Sequence, residues 1–153
     1  MSIFPTLRSL VGRRLFISKY GNLVASPYGT DFNVSQPCVN ATIAIGAENT
    51  NVRTITVQLL DANGEDINYV ETFELIVFSD TTRTAFATGG STGVAIGTDG
   101  AAVAIVAKKH FLCTSEADGD WDGTWTDTGT ESVAIGIRLP NGRIVMSGAF
   151  ANT

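Results

Sequence analysis

Three aspartates at alternate positions, Asp118, Asp120 and Asp122, are interleaved with two tryptophans, Trp121 and Trp125, and no other stretch of the chain has spacing that points so directly to chemistry. Alternating carboxylates followed by a glycine, here Gly123, match the first half of an oxygen-ligand calcium loop, which needs a bidentate glutamate at its twelfth position. That position holds Gly129 and no helical pattern flanks the loop, so half a site is present and the three aspartates stand as weak metal candidates. Paired indoles could instead form a platform for a sugar ring, which requires them exposed. The third reading is a strand: with period-two alternation Trp121, Gly123 and Trp125 share one face, and Asp120, Asp122, Thr124 and Thr126 the other. The indoles then fill a core, and the carboxylates give a solvated face that discourages edge pairing.

Parts for catalysis are few. His110 is the only histidine, so no triad or metal site can draw on a second imidazole, and it reads as an edge or surface residue. No nucleophile elbow of the G-x-S-x-G type occurs, and the glycine run 89–93 lacks the lysine and strand–loop–helix frame of a phosphate cradle. Cys38 and Cys113 fit no zinc or redox spacing and read as small, partly buried residues. The expectation is a protein that is not an enzyme and carries no cofactor.

The elements that must position these residues are almost all strands. Alternation is plain at 52–60, where Ile55, Val57 and Leu59 oppose Thr54, Thr56 and Gln58, and ten further short segments read as strands bounded by Gly, Asn or Asp. Asn141-Gly142 marks a hairpin in which both residues take positive φ, and Gly21, Gly64 and Gly100 mark similar reversals between antiparallel neighbours. The glycine-rich run 85–100 reads as a flexible, exposed loop. The spacing predicts an all-β fold, an antiparallel β-sandwich of immunoglobulin-like or jelly-roll-like type, at residues 37–153, preceded by an extended arm with a hairpin at 1–36.

At 153 residues with a net charge of −5, the chain is long enough for one well-cored domain. Its acidity speaks against general nucleic-acid binding, and no run is long enough to span a membrane. The start lacks the apolar stretch of a signal peptide, giving the expectation of a soluble, unexported product. Charge is uneven: residues 1–30 carry Arg8, Arg13, Arg14 and Lys19 and no acid, whereas the rest carries 6 basic and 15 acidic residues.

The stretch 93–149, with "TDG" before an apolar strand, "TSEADGDWDGTWT" and "LPNGRIVMSGA", resembles a β-sandwich domain of tailed-bacteriophage structural proteins; "ITVQLLDANGEDI" and "FELIVFSD" extend the resemblance back to residue 52. That family has aliphatic residues where Trp121 and Trp125 stand, which implies core positions for both. The resemblance implies a capsid decoration or cement protein on the virion exterior, made in the bacterial host cytoplasm. Its partner would be the major capsid protein and its oligomer a trimer. A tail, baseplate or head-fibre component is the alternative within that class, and a carbohydrate-binding or adhesin-like module the alternative outside it. A basic arm suits attachment to an acidic lattice. Its candidate contacts are Phe4, Leu7, Arg8, Leu10, Arg13, Arg14, Phe16 and Lys19.

Overall fold

Residues Val52–Leu60 show why this chain forms sheets: Ile55, Val57 and Leu59 are fully buried while Thr54 and Thr56 between them face solvent. Branched side chains on one face and hydroxyls on the other suit a pleated ribbon that is dry on one side. The computed structural model describes residues 36–153 apart from Gly89, together with the backbone of three strands before them. These are β1 (Arg13–Ile17), β2 (Leu23–Pro27) and β3 (Phe32–Asn33), followed by β4 (Asn40–Ile45), β5 (Val52–Leu60), β6 (Thr72–Phe78), β7 (Gly93–Ile96), β8 (Ala101–Val106), β9 (His110–Thr114), β10 (Asp120–Thr126), β11 (Ala134–Arg138) and β12 (Ile144–Met146).

Two compact units divide the chain, Met1–Pro37 and Cys38–Thr153. In the first, β1, β2 and β3 form an antiparallel three-stranded sheet, so the expected hairpin gains a third strand. In the second, every pairing is antiparallel: one sheet runs β4-β5-β10-β7 and the other β12-β11-β6-β9-β8. The two sheets face each other as a β-sandwich over one core. Ile55, Val57, Leu59, Val94, Trp121 and Trp125 come from one layer, and Phe73, Leu75, Val77, Cys113, Ile135 and Ile137 from the other. Trp121 holds the layers together from the middle. Its ring meets Phe73 edge-on at 6.1 Å, and its Nε1–H donates to the Ala101 carbonyl of the opposite sheet at 3.2 Å.

Two of the glycine reversals differ from expectation. The turn at Gly64 closes a short antiparallel bridge, Leu60 with Asp66, before the chain passes from β5 to β6 in the other sheet, and at Gly100 the chain passes from β7 to β8 between sheets. Burial of both apolar faces requires such crossings, and a turn residue says nothing about which sheet follows. At Leu139-Pro140-Asn141-Gly142 only Gly142 has positive φ (83°), and its N–H donates to the Leu139 carbonyl at 2.8 Å. Pro140 fixes the φ of a type I turn, Asn141 follows, and the glycine closes a three-residue loop.

A two-residue turn with positive φ at both centres does occur elsewhere, at Thr50 (51°) and Asn51 (64°), between the mutually hydrogen-bonded Asn49 and Val52. A β-branched residue is poorly suited to that conformation. Thr50→Asn is therefore expected to raise the stability of the sandwich by about 0.5 to 1 kcal/mol, read as a higher urea midpoint with an unchanged slope.

Candidate functional site

β10 places Trp121 and Trp125 on the core face, 0 % and 1 % exposed. An indole platform for a sugar ring therefore does not exist here. Gly123 lies between them because a side chain at that position would collide with the Trp121 ring and with the Ala95 carbonyl. The carboxylate face of the same strand is a different matter from the expected wet edge. β10 is an inner strand, paired with β5 on one side and β7 on the other, so its aspartates protect no edge.

Asp120 and Asp122 are half-buried and Asp118 is exposed. The 97–100 bend folds over Asp122, whose carboxylate accepts the Asp99 N–H at 2.8 Å and the Thr98 hydroxyl at 3.4 Å. Asp118 accepts the Asp120 N–H at 3.3 Å, and its carbonyl takes the Gln58 amide at 2.8 Å. These carboxylates satisfy loop backbone rather than converge. Among the described residues no three His, Cys, Asp or Glu side chains are grouped to hold a metal ion. Excess EDTA is accordingly expected to leave the melting temperature unchanged within about 1 °C, and a large drop would restore the calcium reading.

Asp120 is the strained member of the set. Its Oδ1 is shut off from water and has no hydrogen-bond partner among the described residues. Burial, followed by the charges of Asp99, Asp118 and Asp122, raises its carboxyl above the ordinary range, against a hydrogen bond from the Trp121 backbone. The folded state thus holds this proton more tightly than the unfolded chain, so Asp120 weakens the fold increasingly as pH rises through that range. Asp120→Asn should melt about 2 °C above wild type at neutral pH, with the gap closing in acid. A gap that persisted in acid would contradict this assignment.

His110 sits on β9, an inner strand rather than an edge, and its Nε2–H donates to Glu74 Oε2 at 2.8 Å. Glu74 Oε1 accepts from Arg138 Nη1 at 3.0 Å, completing a three-residue hydrogen-bonded cluster on the outer face of the larger sheet. No hydroxyl or thiol hydrogen-bonds to the imidazole among the described residues, so a nucleophile–base pair is not formed. Cys38 and Cys113 are free and buried. Burial raises the Cys38 thiol and pushes Cys113 up to about 12, which keeps both as inert thiols at neutral pH. The 85–100 run is not a free loop: Ala87 is fully buried, β7 pairs with β10, and Gly90 lies against the Trp125 ring where a side chain would not fit. The Lys108 ammonium donates to the Ser91 carbonyl at 2.6 Å, tying down its centre.

Sequence reasoning missed a polar clamp formed by residues 151–153. Asn152, 3 % exposed, donates to the Asn51 and Asp127 carbonyls at 2.7 Å each and accepts from Arg53 Nε at 3.1 Å. Arg53 also reaches the Ala151 carbonyl at 2.7 Å and the Gly46 carbonyl at 3.1 Å. Every partner of Asn152 lies far off in sequence, so no local pattern announces the clamp.

Of the expected arm contacts, Phe4, Leu7, Arg8, Leu10 and Lys19 lie outside the described residues. Arg13, Arg14 and Phe16 are placed by backbone only, at β1 positions opposite Pro27, Ser26 and Val24. No described helix is long and apolar enough to cross a membrane.

No protein-family model and no curated protein matches the chain. Among solved structures it is similar to the reeler domain of human F-spondin, at 9 % identity over 77 % of this chain and 91 % of that one, with a TM-score of 0.46. It is also similar to a cohesin module from a Clostridium perfringens family 33 glycoside hydrolase, at 10 % identity over 76 % and 95 % of the two chains, with a TM-score of 0.41.

Proposed function

We propose that this chain is a non-catalytic structural protein of a tailed-bacteriophage head, a decoration or cement protein that grips the outside of the capsid through its first 36 residues. The observation that carries the reading is a division of charge that follows the division of the chain. Residues 1–37 hold four basic groups and one acid, and residues 38–153 hold six basic groups and fourteen acids. A basic attachment segment joined to an acidic body is drawn to an acidic lattice by the segment's charge.

The resemblance of residues 52–149 to phage β-sandwich domains supports the same reading, as does the core position of both indoles. The only histidine is held by Glu74 and both thiols are buried, in keeping with a role without chemistry. The partner is the major capsid protein.

The test is co-sedimentation of the full chain with purified heads at rising salt. Saturable binding that weakens as salt screens the contact supports the proposal. Failure to bind heads at low salt overturns it.

A further inference from the structure

Four strands end the two sheets of the sandwich: β4 and β7 in one, β8 and β12 in the other. An open edge carries unpaired N–H and C=O groups, which soluble proteins blunt with charge, polarity or shortness. β4 includes Asn40 and Thr42, β7 has four residues, and β12 has three half-buried ones. β8 has six residues, Ala101–Val106, and no polar side chain among them. Val103 is 68 % exposed and Ile105 56 %, with Leu112 of β9 beside Val103 at 43 %.

Among the described residues the backbone of β8 is free in a defined pattern. Val77 N–H donates to the Lys109 carbonyl and Ser115 N–H to the Glu71 carbonyl, so positions 109, 111, 113 and 115 bond to β6. Alternation then gives His110, Leu112 and Thr114 to β8, where Leu112 and Thr114 face Val103 and Ala101. Ala102 and Ala104 are left with their N–H and C=O aimed at the open edge.

We propose that β8 is the seam of a two-fold dimer, pairing antiparallel with β8 of a second copy of this chain about an axis at Val103. Ala102 of each copy then exchanges backbone hydrogen bonds with Ala104 of the other. Val103 meets its own counterpart at a non-hydrogen-bonded position, where side chains come closest. Charge identifies the occupant as a second copy. Asp99 precedes the strand and Lys108-Lys109 follow it, so antiparallel self-pairing sets the acidic end of each copy beside the basic end of the other. The register shift between Ala104 and Val106 ends the regular ladder there and keeps the seam short. An isologous pairing uses up both edges and closes. The dimer does not depend on the capsid reading, and its symmetry differs from the trimer implied by the phage resemblance.

Sedimentation equilibrium of the full chain from about 5 to 200 μM is expected to show a monomer–dimer equilibrium. Amide exchange at Ala102 and Ala104 is expected to slow as concentration rises. Val103→Lys, which places a charge on the seam, and Ala104→Pro, which removes a donor that β9 does not use, should each weaken association at least about tenfold. Thr42→Lys on β4 should leave it unchanged. A monomer at every concentration, a trimer, or unaltered dimerisation of Val103→Lys with no concentration-dependent protection at Ala102 and Ala104 would each overturn the proposal.

Discussion

Trp121→Ala is expected to remove about 4 kcal/mol of stability, a large part of what a domain of this size possesses. Three losses combine. The indole is completely buried, so its deletion leaves a cavity at the centre of the sandwich. Its edge-on contact with Phe73 at 6.1 Å is one of the links between the sheets, and it goes with the ring. The Ala101 carbonyl loses the N–H that reaches it across the layers at 3.2 Å. Neighbouring residues cannot close the gap cheaply, because Gly100 and Gly123 approach the ring with backbone and have no side chain to swing in. Trp121→Phe keeps an aromatic body and loses the hydrogen bond, with an expected cost of about 2 kcal/mol. Urea unfolding followed by far-UV circular dichroism reads both values. A loss below about 1 kcal/mol for the alanine variant would mean that the core is not organised around this residue.

Deleting residues 2–19 is expected to abolish attachment to heads and leave the sandwich folded. Among the described residues every member of the buried core cluster lies between Cys38 and Leu139, so the deletion removes none of these. It does remove Arg8, Arg13, Arg14 and Lys19, all the basic groups before Arg53, together with the apolar anchors Phe4, Leu7, Leu10 and Phe16. What remains is uniformly acidic in balance and should be repelled by an acidic lattice. Co-sedimentation is expected to fall to background while the melting temperature of the sandwich changes by less than about 2 °C. Retained binding by a folded truncated chain would place the capsid contact on the sandwich instead.

The eleven strands legible in the sequence all form; β7, β8, β11 and β12 do so without alternating burial, whereas β5 and β10 alternate over several positions. Ile55, Val57 and Leu59 in β5, and Trp121 and Trp125 in β10, could be assigned to the core on that ground alone. What alternation does not encode is strand order. From alternation alone the acidic face of β10 reads as the guard of an edge, whereas pairing with β5 and β7 places it inside the sheet and under the 97–100 bend. For the same reason alternation does not show that His110, on the outer surface of its sheet, belongs to an inner strand.

Turn residues misled in a different way. Asn-Gly pairs at 63–64 and 141–142 suggest two-residue turns, yet in each only the glycine has positive φ, and the two-residue turn is built from Thr50 and Asn51. Loop length and the strands flanking it decide which turn closes, and neither is a property of a dipeptide. The β3 strand has two residues and no pattern to read. The Arg53–Asn152 clamp joins residues 99 positions apart, beyond any local signal.

Mass spectrometry of heads and tails separated from purified particles tests the proposed role most directly. This chain is expected in the head fraction, in a fixed ratio to the major capsid protein; its presence only in tails, or its absence from the particle, would contradict a role on the capsid.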